Sequence, residues 1–287
     1  GRFYEVKSVT LPSDNDKKFI LRTVPSTVGL QEFNILKSLR HERLVRLFAG
    51  YTSADFVHLV LEYTEGDHIA RHLSERRKYS ENTVASVIRQ VLYALEYLQR
   101  NNLVHLNLQP ASIVVSKLEG CEVKLTDFSL AIRVSTPEGD VAPRRGHADF
   151  IPPEVVVKDV AGFPADIWGV GTLAFLLLSG VSPFHGDSYK STLVNIALNR
   201  YEAIDLYENI TTEALKFLFK VLKRLPRNRP SLQDCLDHKW LYLTEQAIKE
   251  REDTVFLSNN LASFVQNYDR VRQSEHYLLS FEDEQLP

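Results

Sequence analysis

Between His105 and Ser112 the chain reads His-Leu-Asn-Leu-Gln-Pro-Ala-Ser, and fifteen residues after Ser112 comes Asp127, followed by Phe128 and Ser129. Asn107, Gln109 and Ser112 are hydrogen-bonding groups without charge. A side-chain amide donates and accepts, but it has no carboxylate with which to orient a hydroxyl or take its proton. Proton transfer through Asn107 is therefore not expected. Asp127 carries the one carboxylate of these two short segments, His105 to Ser112 and Asp127 to Ser129.

The elements that must hold these residues change character along the chain. Phe3 to Thr10, Lys18 to Val24, Leu44 to Tyr51 and Val57 to Tyr63 read as strands, with one helix near Leu30 to Leu39 and a turn at Pro12 to Asp16. From Glu81 the period becomes helical. Val84, Val87, Ile88, Val91, Leu92, Leu95 and Leu98 mark one long helix with a buried face, and Ser80 stands at its N-cap position. Val123 to Leu125 reads as a short strand, followed by helices near Ala165 to Leu178, Tyr189 to Asn199, Thr212 to Leu222 and Ser231 to Asp237. A small β-rich lobe joined to a larger helical one is the predicted architecture. Beyond Trp240, Leu257, Leu261, Phe264, Val265 and Tyr268 form an apolar stripe at helical spacing that must dock somewhere.

The 287 residues are 44% hydrophobic and 25% charged, enough for one two-lobed domain or two small ones. A net charge of -3 provides no global basic field, so neither nucleic acid nor an anionic membrane is an implied partner. No apolar run approaches the roughly 18 to 20 residues of a membrane span, and Gly1 to Thr10 lack a secretory apolar block, so cytoplasmic placement is expected. Cys121 and Cys235 have no CxxC or metal-ligand spacing, which predicts two free thiols.

Five motifs in order resemble those of eukaryotic protein kinases: Val104-His105-Leu106, Asp127-Phe128, Pro152-Pro153-Glu154, Asp166-Ile167-Trp168-Gly169, and Arg229 within Arg227-Asn228-Arg229-Pro230. The resemblance runs from Gly1 to about Trp240. Leu106 after the histidine, with a helical tail, is similar to the titin, twitchin, obscurin and myosin light-chain kinase group. Within it, Ser112-Ile113-Val114 and the extent of substitution look most similar to the first kinase domain of an obscurin-type giant muscle protein. The resemblance implies an α+β, two-lobed protein kinase fold: N-lobe 1–63, hinge 62–67, C-lobe 68–240, and a helical tail, 241–287, packed between the lobes or against the larger one. It further implies an internal spine of Leu36, Leu47, His105, Phe128 and Asp166, and a buried Glu154–Arg229 ion pair.

It also implies where chemistry is missing. Kinases transfer phosphoryl groups by positioning, by metals held on the Asp-Phe-Gly aspartate and a loop asparagine, and by an aspartate that accepts the substrate proton. Asn107 stands at the base, Gln109 at the loop lysine and Ser112 at the metal-binding asparagine, leaving Asp127 as the sole matched metal ligand. On the nucleotide side Tyr4 replaces a glycine of the glycine-rich loop ending at Val6. Arg22 replaces the strand lysine opposite Glu32, and Ile20, on the same strand face, should crowd a purine. Leu61, Glu62, Tyr63 and Val114 complete this degenerate nucleotide site. Lys18 is expected to be a solvated lysine. His147, where Ser/Thr kinases place a threonine, is expected to be an exposed loop histidine, preceded by a solvated Arg144-Arg145.

No cofactor is predicted, and Mg-ATP binds weakly at most. Proteins are the expected partners, in the cytoplasm and, by resemblance, the sarcomere. The tail has nine acidic against four basic residues, which argues against a basic calmodulin-target helix. The expected function is a catalytically inactive kinase domain acting as a scaffold in a giant cytoskeletal protein. A weak or unconventional Ser/Thr phosphotransferase using Asp127, Glu32 and Arg22, and a nucleotide-binding switch without turnover, are the alternatives.

Overall fold

A computed structural model describes residues 5–11, 17–139, 146–201 and 209–273. Tyr4, the turn at Pro12 to Asp16, Arg144 and Arg145 lie outside them. In the N-terminal lobe β1 (Glu5–Leu11), β2 (Lys17–Pro25), β3 (Leu47–Thr52) and β4 (Phe56–Glu62) form an antiparallel sheet of order β1-β2-β4-β3. Alternation drives β4 inward: Val57, Leu59 and Leu61 are buried while the residues between them are not. Helix α1 is Ser26–Leu36, beginning earlier than the apolar pattern predicts and ending sooner. Pro25, with φ of -56°, sets the start, and Leu39 N donates to Leu36 O in a tight closing turn. Gly29 lets α1 approach the sheet, since a Cβ there would lie 2.4 Å from Val24 Cγ2.

The C-terminal lobe begins with α2 (Ile69–Ser74), β5 (Lys78–Ser80) and α3 (Glu81–Arg100). Ser80 caps α3, its hydroxyl accepting from Thr83 N, and all seven apolar positions of the predicted stripe are buried. Short strands β6 (Leu103–Val104), β7 (Ile113–Lys117), β8 (Glu122–Leu125) and β9 (Ile132–Arg133) pair as β6-β9 and β7-β8, bracketing the His105–Ser112 loop and Asp127. Helices α4 (Pro153–Lys158), α5 (Phe163–Ser179), α6 (Tyr189–Leu198), α7 (Thr212–Val221) and α8 (Leu232–Leu236) complete the lobe. From Ala165 to Leu178 α5 is buried on every side, as befits a helix at the centre of its lobe. Cys121 and Cys235 are buried free thiols.

The tail continues as α9 (Glu245–Asp253), β10 (Val255–Leu257) and α10 (Asn259–Gln273). β10 pairs antiparallel with β5, and this corrects the predicted stripe: Leu257 is a strand residue, 68% exposed, opposite Lys78. The rest of the stripe holds, with Leu261, Val265 and Tyr268 buried and Phe264 packed against the core. Arg251 is buried with no carboxylate bonded to it among the described residues, donating to Trp240 O, Tyr242 O and Asn82 Oδ1. At the end of α5 Gly180 has φ of +76°, and a Cβ there would meet Leu261 N at 2.6 Å. Glycine is thus required both by the backbone and by the close approach of the tail.

Candidate functional site

Strand β6 delivers the loop to Asp166 on α5, whose two carboxylate oxygens accept from His105 N and Leu106 N, each at 2.8 Å. Leu106 takes φ of +61°, a strained value for a leucine that these two bonds hold in place. Burial pushes the Asp166 carboxyl up to about 6, although the two N–H donors favour its ionised form. The His105 ring packs edge-on against Phe128 with centroids 4.9 Å apart. Burial lowers it to about 4, so the imidazole is neutral. Its Nδ1 lies 3.3 Å from Asn107 N and its Nε2 3.0 Å from Thr126 O, contacts that suit the Nε2–H tautomer. Leu36 and Leu47 are buried in the same core cluster as Phe128.

The three uncharged polar residues of the loop are buried and tied to one another. Asn107 Oδ1 accepts from Gln109 Nε2 at 2.6 Å, and Asn107 Nδ2 donates to Asp127 O at 3.3 Å. Ser112 Oγ donates toward Asn107 O and Gln109 O and accepts from Gln109 N, so the hydroxyl is turned into its own loop. Gln109 Oε1 accepts from Tyr268 Oη at 2.7 Å. This bond links α10 directly to the loop and places a tail side chain over it.

On the opposite wall Arg22 of β2 donates through Nη1 to Glu32 Oε1 on α1 at 2.7 Å and through Nη2 to Asp127 Oδ1 at 2.9 Å. Asp127, at φ of +59°, also accepts from Ser129 Oγ at 2.8 Å. Burial opposes ionisation of Asp127, but the Arg22 guanidinium and Ser129 outweigh it and hold the carboxyl down at about 2. Glu32 is pushed up to about 7, burial exceeding the pull of Arg22. One cation thus serves two acids, and the deeper acid is poorly compensated.

Of the remaining predicted nucleotide positions, Ile20 lies opposite Leu61 and Arg22 opposite Val6 in the sheet register, while Val114 is half-buried on β7. The Glu62 side chain turns away from them: its carboxylate accepts from Lys124 Nζ at 2.6 Å and from Arg46 N at 3.2 Å. Lys18 is exposed and reaches the Tyr63 ring at 5.5 Å. Glu154 and Arg229 form two parallel bonds of 2.7 Å, with Arg229 also donating to Pro164 O and Lys223 O.

His147 departs from its expected exposure. It caps the turn 148–150, its ring lies 5.4 Å from that of Tyr268, and its side chain is only 14% exposed because the tail covers it. His68 and Arg71 of α2 went unnoticed as site residues, yet both face Asp269 of α10, at 3.4 Å and 2.5 Å. The one signal in the sequence was a tyrosine in an otherwise wholly apolar stripe, since a buried phenol needs a hydrogen-bond partner.

The family described as protein kinase domain matches residues 1–241. Among known proteins, the chain is similar to the striated muscle preferentially expressed protein kinase of Danio rerio, 33% identical over 276 residues, covering 94% of this chain and 9% of that protein. Myosin light chain kinase 3 of Danio rerio is 32% identical, covering 76% of this chain and 31% of that protein. The chain therefore spans under a third of the length of these two relatives. Among solved structures, the twitchin kinase region from C. elegans superposes with a TM-score of 0.82 at 25% identity, covering 93% of this chain and 48% of that one. The autoinhibited serine kinase domain of titin gives 0.78 at 21% identity over 92% and 86%, a likeness of fold.

Proposed function

The chain belongs to the protein kinase domain family, and from that premise we propose that it is a catalytically inactive member, a pseudokinase. Its retained shape would serve as a protein-binding scaffold within a giant sarcomeric protein of the obscurin type. Asn107 carries the proposal. At the position where kinases place the proton-accepting aspartate, both ends of its amide are engaged, by Gln109 and by the Asp127 carbonyl, and neither can act as a base. The names of the relatives are those of kinases, so this reading separates the chain from them on residue chemistry alone.

Magnesium nucleotide fits the site poorly. Asp127 already shares its charge with the Arg22 guanidinium, and the Ser112 hydroxyl is fully buried and spent on its own loop. A divalent ion at Asp127 would sit against the Arg22 guanidinium, which Asp127 and Glu32 hold in place between them. The solved twitchin fragment is described as autoregulated and the titin domain as autoinhibited. Here the Tyr268–Gln109 bond would close the Asn107 loop with the protein's own tail.

The test is transfer of labelled phosphate from Mg-ATP by the purified chain to itself and to generic Ser/Thr peptides, beside a calorimetric titration with ATP, with and without Mg²⁺ or Mn²⁺. No transfer and no saturable heat are expected. Turnover that disappears in Asp127→Ala would overturn the proposal, and saturable binding without turnover would favour a nucleotide switch.

A further inference from the structure

Behind the hinge, where α1 runs into β3, the surface sinks into a cavity of about 430 Å³. Its apolar lining is Leu39, Leu44, Val45 and Phe48, and charged side chains surround it. The two carboxylates there have cationic partners: Glu42 pairs with Arg43 at 3.4 Å and Glu62 with Lys124 at 2.6 Å. Arg40 and Arg46 have no carboxylate among the described residues. Each is nevertheless held in position, Arg40 by donating to Leu39 O at 2.6 Å and Arg46 by lying over the Phe48 ring at 5.0 Å. Two positioned, uncompensated guanidiniums thus share one cavity on a chain whose net charge is negative.

The cavity opens at the start of β3, the outer strand of the sheet, which among the described residues pairs with β4 alone. Its exposed side chains include Phe48 and Tyr51. An unpaired strand edge offers backbone donors and acceptors to an extended segment. Guanidiniums at its end select for carboxylates, with which they form paired charged bonds.

We propose that this cavity and the β3 edge form a docking site for an extended acidic segment of a partner protein, its carboxylates on Arg40 and Arg46 and its backbone along β3. Side chains alternate along a strand, so acidic and apolar residues would alternate in the partner. The apolar lining argues for a peptide over a free anion, since Leu39, Leu44 and Phe48 offer nothing to phosphate. The cavity shares no lining residue with the Asn107 loop, and its existence is independent of whether the chain transfers phosphate.

The test uses the whole chain and a fluorescein-labelled octapeptide of alternating glutamate and valine, followed by anisotropy, beside a lysine–valine octapeptide and inorganic phosphate as a competitor. The acidic peptide should bind and weaken with added salt, and R40E/R46E should lower its affinity by about tenfold or more. Both arginines are exposed, so the variant should keep the parent's unfolding midpoint; if it does not, R40Q/R46Q takes its place. Absence of binding, equal binding by the lysine peptide, undiminished binding by a folded variant, or displacement by phosphate at concentrations comparable to the peptide's would each overturn the proposal.

Discussion

Arg22 is shared by two acids, and its loss would strand the deeper one. In Arg22→Met, Glu32 would keep its burial without a counter-charge, at a cost of about 3 kcal/mol at pH 8. The sign with pH follows from linkage. Glu32 already has a folded-state value above its ordinary one, and removal of Arg22 raises it further. A carboxyl raised on folding contributes stability that is complete below its unfolded value and lost as pH rises through the folded one. The variant's deficit should therefore shrink toward pH 5 and widen toward pH 8. Urea unfolding at both values checks this, and a deficit independent of pH would contradict the assignment to Glu32. At this scale the sequence showed that Asn107, Gln109 and Ser112 lack charge. It did not show that their hydrogen bonds close on one another, because side-chain direction depends on neighbours distant in the chain.

At the scale of elements, α10 is held by three kinds of contact: apolar burial at Leu261 and Val265, the Asp269 contacts to Arg71 and His68, and the buried Tyr268 hydroxyl. Tyr268→Phe keeps the ring stacked near Phe264 and His147 but leaves Gln109 Oε1 without its donor. We expect a loss of about 1 to 2 kcal/mol, localised as faster amide exchange in 259–273. Unchanged exchange there would show that the phenol bond does not hold the tail. Element boundaries were legible where periodicity ran unbroken, as in α3. They shifted where a local device intervened, as with Pro25 at α1 and the β10–β5 pairing that claimed Leu257 for a strand.

Across the whole molecule, the larger lobe depends on the Glu154–Arg229 pair, nearly sealed from water and braced against Trp168 by Arg229 at 5.1 Å. Arg229→Met should cost about 3 to 5 kcal/mol, because Glu154 and three carbonyls lose their donors together. The double variant Glu154→Gln with Arg229→Met should cost less than the sum of the singles, as expected for coupled neighbours. Chemical unfolding of all three proteins gives both numbers, and strict additivity would show the two residues to be independent. No helix among the described residues is long and apolar enough to cross a membrane.

The sequence by itself determined the two-lobed kinase order, the apolar faces of α3 and α5, and the absence of a carboxylate at position 107, because periodicity and residue chemistry are local properties. Only the tertiary structure decided that Arg22 bridges Glu32 and Asp127, that Tyr268 reaches Gln109, that His147 is covered, and that Arg40 and Arg46, without a carboxylate partner among the described residues, line one cavity. Those facts depend on residues brought together from up to 159 positions apart, and hydrogen bonds and ion pairs form only when folding sets both distance and direction.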